Sequence, residues 1–503
     1  MQISLEGIAL IVFISYWICV EVLRSKGVLE KYEISNYGPL LIVRTKKGLG
    51  ILEKISKPKK FWRVISTAGI PSVFAGMVFM FALIVLMDVM MVKSPPPPSQ
   101  LTSPRNVLLI PWVNTLFPPL YLLIGLIVTL VVHEFSHAIL CRVEGIKVKA
   151  LGLLMLLLPI GGFAEPDEEE LEKKASRIQK VRIFSAGVIS NFAVATIAFI
   201  LFLLLLNFLQ PVVFVANTSN SNTTMHAGEI VYSINGVNVS TPADVAKALE
   251  KTIESGTIVV RTESGIYKLH GVCGVKVVGL YKNYPAEKAG IKPGMIIYMI
   301  NETYTPNLYA FQKYMSKTKP GEVLTLHVYY KGKREVIKVR LVKSPYSNSG
   351  FLGVEVYGYV SGLTLGYSKV LLDELKSIPS ELKSVRGWLL LVAMPLMGFK
   401  GFTGSVTKYF KPMVFGSTLF VILTALYWIC WVNFYVGLFN CLPAIPLDGG
   451  RVLYEVLVWI ANKFGFSGEK VAEKVVKFLA YLIFVSLALS VVIPNLTPYL
   501  KTI

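Results

Sequence analysis

Two histidines and a glutamate interrupt an apolar run in VVHEFSHAIL. His133 and His137 are four residues apart, so on a helix they share one face, and Glu134 adjoins the first of them. Two imidazoles so placed can reach one Zn²⁺, and the neighbouring carboxylate can reach a water molecule on the metal. The alternative is a histidine pair used for packing. It is disfavoured because an unpartnered ionisable group in hydrocarbon costs about 2 kcal/mol or more.

A catalytic zinc needs a third protein ligand and an open coordination position. The segment FNCLPAIPLDGGR follows a second apolar run, and its Asp448 is expected at the depth of the two histidines. Pro443 breaks the helix there, and Gly449 and Gly450 permit close backbone approach. Taken alone, Asp448 is better explained as a helix N-cap at the membrane surface. The remaining histidines lie in a long polar region and are not expected at this site: His226, His270 and His327.

The composition is that of a polytopic membrane protein. Of 503 residues, 53% are hydrophobic and 16% are charged, and the mean hydropathy is positive. The formal net charge of +20 is concentrated in loops that flank apolar segments, as the positive-inside rule describes, so no nucleic-acid partner is expected. Five cysteines without a CxxC pair predict neither a disulfide framework nor a thiolate zinc site.

About six membrane spans are predicted from the apolar segments. They lie near 5–23, 69–92, 113–141, 182–210, 413–439 and 475–494. The first is expected to be an uncleaved anchor, since it lacks a basic start and a small-residue cleavage site. The basic loop 25–68 is assigned to the cytoplasm, because basic residues are enriched in cytoplasmic loops.

This assignment places both chain termini and the polar region 211–350 outside the cytoplasm. The His133–His137 pair then lies near the cytoplasmic end of its span, because a further basic stretch, Lys147–Lys180, follows it. The chain is expected to be an integral protein of the cell membrane.

The polar region contains an internal repeat. HAGEIVYSINGVNVSTPADVAKALEKTIESGTIVV is echoed by KPGMIIYMINETYTPNLYAFQKYMSKTKPGEVLTL, with a glycine before a strand that ends in Ile-Asn, a Thr-Pro helix start and a glycine turn in both copies. This pattern resembles tandem PDZ domains, which are α+β modules. Two roles stay open: binding of peptide tails as an added strand, or steric exclusion of bulky proteins from the membrane site.

The predicted organisation has six regions. They are a two-span region with a basic loop at 1–110, the first membrane half at 111–210, PDZ-like domains at 211–273 and 274–350, an interfacial amphipathic linker at 351–412, and the second membrane half at 413–503. Within the linker, the apolar stretch 387–399 is too short to span, and surface and inserted positions are both open.

Together the two polar motifs resemble the site-2 protease family of intramembrane zinc metalloproteases. HEFSH matches the family's HExxH, and the segment from Asn440 to Gly449 matches its NxxPxxxxDG. SAGVISN places Gly187 and Asn191 at the family's GxxxN spacing, with Val188 where the family often has proline. PDZ insertions between the two catalytic halves also occur in this family. The resemblance covers about 113–210 and 413–494.

The resemblance implies a role for each residue of the motifs. His133, His137 and Asp448 would bind Zn²⁺, and Glu134 would be the general base that passes a proton to the leaving amine.

Four further residues are implied in positioning the substrate. Asn191 and Asn440 would orient the scissile peptide or bind the oxyanion, with helix packing and helix-end capping as the respective alternatives. Gly161 and Gly162 in LPIGGF would offer a strand edge to unwound substrate, with a simple reverse turn as the alternative.

The predicted function is therefore intramembrane hydrolysis of peptide bonds in single-span membrane proteins, as one step of regulated proteolysis. Two other functions are weighed against it. A catalytically silent PDZ membrane adaptor would not need the complete ligand set. A zinc transporter would need polar ligands along several spans, and the spans at 69–92 and 475–494 offer almost none.

Overall fold

The computed structural model describes residues 5–45, 49–107, 109–218, 225–250, 252 and 256–500. The helices, numbered in chain order, are α1 (Leu5–Ser25), α2 (Val28–Lys31), α3 (Leu49–Ser56), α4 (Lys59–Lys93), α5 (Pro104–Val107), α6 (Pro119–Glu144), α7 (Glu168–Lys174), α8 (Arg177–Leu205), α9 (Pro242–Leu249), α10 (Pro285–Lys288), α11 (Leu308–Met315), α12 (Ser368–Glu381), α13 (Val385–Ala393), α14 (Thr418–Asn440), α15 (Asp448–Lys463) and α16 (Gly468–Leu500).

The strands are β1 (Ile34–Tyr37), β2 (Leu40–Thr45), β3 (Val148–Leu156), β4 (Leu158–Pro166), β5 (Leu209–Pro211), β6 (Val213–Thr218), β7 (Ile230–Ile234), β8 (Val237–Asn238), β9 (Thr257–Thr262), β10 (Ile266–His270), β11 (Cys273–Leu280), β12 (Ile296–Ile300), β13 (Thr303–Tyr304), β14 (Val323–Tyr330), β15 (Lys333–Arg340), β16 (Val342–Lys343), β17 (Gly350–Phe351), β18 (Val354–Val360), β19 (Leu363–Tyr367) and β20 (Phe410–Pro412).

Five helices in the described part of the chain are long and apolar enough to cross a bilayer. They are α4, α6, α8, α14 and α16. Their lengths follow from uninterrupted apolar sequence, and they confirm the prediction of a polytopic helical membrane protein. The predicted first span coincides with α1, whose 21 residues would extend about 31 Å. A sixth crossing by α1 stays a prediction.

The chain divides into two compact units. One takes Met1–Phe202, Val392–Gly401 and Ile422–Ile503, and the other takes Leu203–Leu391 and Phe402–Val421. The first unit therefore contains both polar motifs although more than 300 residues separate them in sequence, and the second contains the long polar region.

In the first unit, α4 packs against both halves of the membrane region at two glycines. A Cβ at Gly69 would lie 2.6 Å from Ile189 of α8, and one at Gly76 would lie 2.6 Å from the Sγ atom of Cys441. Only a residue without a side chain fits such an approach. Helix α4 therefore covers the irregular segment after α14. Without this cover the unpaired backbone groups of the segment would be exposed to lipid hydrocarbon, which is unfavourable.

A four-stranded antiparallel sheet in the first unit joins two distant hairpins. Its order is β1-β2-β3-β4, and Leu41–Thr45 of β2 pair with Met155–Leu151 of β3. The N-terminal hairpin thus covers one edge of β3, while β4 forms an outer edge of the sheet. Neither residue type nor spacing indicates a role for this hairpin.

The second unit is built on a twelve-stranded sheet and has two hydrophobic cores. The main order is β10-β9-β7-β6-β19-β18-β11-β12-β14-β15, with α9 and α11 packed near the repeated Thr-Pro positions. One core is formed largely by residues 213–269 and the other by residues 275–352.

The first of these cores is closed by a segment that follows the second core in sequence. Strand β19 pairs with β6 from Leu363 opposite Thr218 to Tyr367 opposite Val213, and Leu363 and Leu365 are buried in the first core. The first part of the segment predicted as a linker at 351–412 therefore contains strands β18 and β19. A tight turn at Ser361-Gly362, where both residues have positive φ, leads from β18 directly into β19, so that β19 lies between β18 and β6.

The end of α13 and the segment after it pack along α14. Side chains of α14 donate hydrogen bonds to backbone carbonyls of that segment. The hydroxyl of Tyr435 donates to the carbonyl of Val392, that of Tyr427 to Phe399 at 3.1 Å, and the indole N–H of Trp428 to Lys400 at 3.1 Å. Carbonyls freed from helix pairing are thereby satisfied, which is the condition for irregular backbone beside a spanning helix.

The approach of α4 to Cys441 can be tested with Gly76→Leu. The added side chain has no space, so we expect overpacking to lower the free energy of unfolding by about 1–3 kcal/mol, seen as a lower thermal midpoint in detergent. Ala75→Leu is the matched control, since Ala75 is exposed on the same turn. Equal midpoints for the two variants would contradict the packing described here.

Candidate metal centre

The three predicted ligand side chains converge on one point. The Nε2 atoms of His133 and His137 are 3.2 Å apart, and each lies 3.2 Å from Oδ2 of Asp448. The two histidines lie in the C-terminal half of α6, and the aspartate is the first residue of α15. Among the described residues, this is the group of His, Cys, Asp and Glu side chains that could hold a metal ion.

The position of Asp448 depends on the tight segment before it. A Cβ at Gly449 would lie 2.2 Å from the carbonyl oxygen of Cys441, and one at Gly450 would lie 2.4 Å from the carbonyl carbon of Ala444. The two glycines therefore let α15 begin directly against the end of α14. The N-cap of α15 is Leu447, so Asp448 is a helical residue whose carboxylate points to the histidines, and the N-cap alternative is wrong.

The geometry fits a bound zinc ion. In a tetrahedral site with metal–ligand distances of about 2.0–2.1 Å, neighbouring ligand atoms are about 3.3 Å apart. The Oδ2 atom of Asp448 is buried against the two imidazole Nε2 atoms, and a buried carboxylate is costly unless a cation balances its charge. Two imidazoles and one carboxylate are also a donor set that zinc accepts, and they leave a fourth position open.

Glu134 is held beside this point by strand β4. Its Oε2 atom accepts a hydrogen bond of 3.0 Å from the backbone N–H of Ala164, and a Cβ at Gly162 would lie 3.2 Å from its Cγ atom. The absence of a side chain at Gly162 therefore lets β4 lie against the catalytic face expected for α6. Gly161 belongs to the same strand, opposite Leu154 of β3.

Helix α8 supports both histidines from behind. The Nδ1 atom of His137 lies 2.7 Å from the carbonyl oxygen of Ile183, and Nδ1 of His133 lies 3.1 Å from Nδ2 of Asn191. Between them, a Cβ at Gly187 would lie 2.5 Å from both rings. The GxxxN spacing thus provides space for two imidazoles and a polar partner for one.

Asn440, the other residue predicted to position substrate, lies at the end of α14. Its Nδ2 atom donates to the carbonyl oxygen of Val436 at 3.1 Å, which is the local bond expected of helix-end capping. A role toward the substrate stays a prediction for Asn440, as it does for Gly161 and Gly162.

Two buried glutamates tie the helices of the site together at their ends. Glu144 pairs with Arg63 of α4 at 3.1 Å and with Arg182 of α8 at 2.8 Å. Glu455 of α15 pairs with Arg177 of α8 at 2.9 Å. Breaking such a pair leaves a buried charge, which costs about 3–5 kcal/mol, so these contacts fix the relative positions of the helices.

Outside the spanning segments, Asp167 anchors the end of β4. It is the N-cap of α7, and the backbone N–H of Glu170, aided by Lys149 at 3.4 Å, holds the pKa of its carboxyl below the usual range. The carboxylate therefore keeps its charge, and the cap is present at neutral pH.

Several groups of the site could not be found from residue types. The carbonyl of Ile183 and the N–H of Ala164 are backbone groups, which every residue carries and which only the fold selects. Gly69 and Gly76 of α4 are similarly uninformative before their neighbours are known.

Comparison with known proteins relates most of the chain to one family. The family model described as peptidase family M50 matches residues 121–487. An uncharacterized protein of Methanocaldococcus jannaschii is 30% identical over 50% of this chain, and the match covers 66% of that protein, just under two thirds of its length.

Two named relatives are more distant. One is a protein of Neisseria meningitidis serogroup A, provisionally named a zinc metalloprotease. It is 22% identical to this chain, and the match covers 73% of this chain and 96% of that protein. A membrane-bound transcription factor site-2 protease homolog of Arabidopsis thaliana is 26% identical over 25% of this chain and 26% of its own.

Among solved structures, a PDZ domain of an SdrC-like protein from Listeria monocytogenes is 19% identical over 17% of this chain and 90% of its own, with a TM-score of 0.16. At that score the likeness carries no argument about the second unit.

The space at Gly187 can be tested with Gly187→Ala. A methyl group 2.5 Å from both imidazoles must displace them, so we expect zinc affinity to fall at least about tenfold, as for other changes around metal ligands. Zinc is measured by chelator competition on purified protein in detergent. Ala193→Ser, on the exposed face of the same helix, is the control. Unchanged affinity in Gly187→Ala would show that the rings do not need this space.

Proposed function

The chain belongs to peptidase family M50, and on that premise we propose that it is an intramembrane zinc protease that hydrolyses peptide bonds within the spanning segments of other membrane proteins. Membership makes it a membrane metalloprotease. The observation that carries the finer proposal is the convergence of His133, His137 and Asp448 at 3.2 Å beside a helix long enough to span.

Each residue of the centre has a distinct part in the proposed reaction. His133, His137 and Asp448 would hold the zinc ion. When bound, zinc polarises a carbonyl group and lowers the pKa of a water molecule to about 7. Glu134 would accept a proton from the attacking water and deliver it to the leaving nitrogen, so that the peptide bond breaks to an acid and an amine. The N–H of Ala164 keeps the Glu134 carboxylate in place.

Strand β4 would bind the unwound substrate. The N–H of Ala164 points away from β3, toward Glu134, and backbone groups alternate in direction along a strand. The N–H and carbonyl of Gly162 therefore face the same side, which is the outer edge of the sheet. A substrate strand added there would lie beside Glu134 and would regain hydrogen bonds lost when its helix unwinds.

The remaining features of the proposal rest on the sequence. We place the centre near the cytoplasmic face because basic residues flank that end of α6, and we assign the second unit and both termini to the opposite side. The twelve-stranded unit would act as two PDZ-like modules that bind peptide tails or exclude bulky proteins. Single-span membrane proteins in the lipid bilayer are the expected substrates.

The function is tested by cleavage of a single-span substrate in detergent or liposomes. Wild type should contain about one zinc per chain and cut within the span. Glu134→Gln should retain zinc but lose about 10²–10⁴-fold in rate, because the general base is gone. Asp448→Ala should lose or weaken zinc binding.

Three outcomes would contradict the proposal in different ways. Wild type without zinc, or with zinc but without cleavage of any single-span substrate, would favour the membrane adaptor. Zinc uptake into liposomes by wild type would favour the transporter. Full activity of Glu134→Gln would mean that another group is the base.

The role of β4 is tested separately with Gly162→Val. The new side chain would enter the space between β4 and Glu134, so we expect at least about a tenfold loss of kcat/KM with zinc content unchanged, since a small misplacement of a catalytic group is costly. Val148→Ile, at the far end of the partner strand β3, is the control. Normal cleavage by Gly162→Val would remove β4 from the mechanism.

A further inference from the structure

Asn191 is fully buried against the first histidine of the metal centre. Its Nδ2 atom lies 3.1 Å from Nδ1 of His133, on the side of the ring opposite to Asp448. Its Oδ1 atom is also buried and has no hydrogen-bond partner. The amide of Asn191 therefore contacts the metal centre through the ring of His133.

The protonation of the imidazole decides which atom of the Asn191 amide faces Nδ1. A donor at Nδ2 requires an unprotonated Nδ1 on neutral His133, which leaves the proton on Nε2. Nε2 is the atom that faces Asp448 and His137, so it is the atom that would bind a metal. To do so it must lose its proton, and the proton of the neutral ring then lies on Nδ1. Nδ1–H needs an acceptor, and a 180° rotation of the Asn191 amide places Oδ1 there.

We propose that Asn191 is a positioning residue of the metal centre, whose carbonyl oxygen accepts the Nδ1–H of His133 when metal is bound and fixes the ring in its metal-binding tautomer. This inference rests on the proposed function only in requiring that His133 holds the metal. It differs from the expectation that Asn191 contacts the substrate.

The second histidine shows the same device with a backbone acceptor. Nδ1 of His137 lies 2.7 Å from the carbonyl of Ile183, so its Nε2 is already directed to the centre. Ile183, Gly187 and Asn191 are spaced by four residues and lie along one face of α8. One helix face therefore supplies an acceptor for each ring and the space between them. Because Asn191 is fully buried behind the ring of His133, it has no exposed surface with which to contact a substrate.

The test compares zinc affinity among variants of full-length protein in detergent. Asn191→Leu keeps the side-chain size but removes the acceptor, and we expect affinity to fall about 10–100-fold, as for other partners of metal-ligating histidines. Asn191→Asp restores an acceptor and should bind zinc at least as tightly as wild type. The absorption spectrum of bound Co²⁺ should be altered in the leucine variant and tetrahedral in the aspartate variant.

Asn433→Leu is the matched control. Asn433 is a fully buried asparagine of α14 whose Oδ1 atom also has no partner, and its Nδ2 atom donates to its own helix at Ile429. The same substitution there should leave zinc affinity unchanged. If Asn191→Leu does not fold, Asn191→Ala compared with Asn191→Asp decides, with thermal midpoints as the check of folding.

The outcomes separate this inference from the proposed function. Wild-type zinc affinity in Asn191→Leu together with slow cleavage would overturn the inference and favour contact with substrate. Failure of folded Asn191→Asp to recover affinity would overturn it as well. A wild-type protein that binds no zinc would instead refute the proposed function itself.

Discussion

The structure depends on keeping two imidazoles and a carboxylate converged within apolar surroundings. Apart, each of these groups would be a costly buried polar side chain, and together around a cation they satisfy one another. The distances of 3.2 Å among His133, His137 and Asp448 set the tolerance, since a shift of one helix by an ångström would separate the set. Much of the first unit can be understood as the means of preventing that shift.

The N-terminal elements contribute to this from two directions. Helix α4 covers the broken segment before Asp448, with Gly76 against Cys441, so that irregular backbone at the start of α15 is enclosed by protein. The β1–β2 hairpin pairs with β3 and thereby supports β4, which in turn holds Glu134 through Ala164. A region with no chemistry of its own thus positions both the third ligand and the proposed base.

Residue types and spacing predict that the three side chains converge, but they do not predict which groups support them. The four-residue interval of His133 and His137, and the Pro-rich break before Asp448, have few other uses in an apolar run. The pairing of β2 with β3 and of β6 with β19 joins segments more than 100 residues apart, and alternation within each strand does not reveal its partner. The acceptor at Ile183 is a backbone carbonyl, which is why no residue type marks it.

The choice of neutral partners for the histidines follows from charge. A zinc ion carries two positive charges, and Asp448 and Glu134 supply two negative ones, so the loaded centre is formally neutral. Neutrality matters in surroundings of low dielectric, where an excess charge is strongly unfavourable. A carboxylate behind His133 would bind metal at least as well but would leave one negative charge in excess. The amide of Asn191 and the carbonyl of Ile183 orient the rings without that excess.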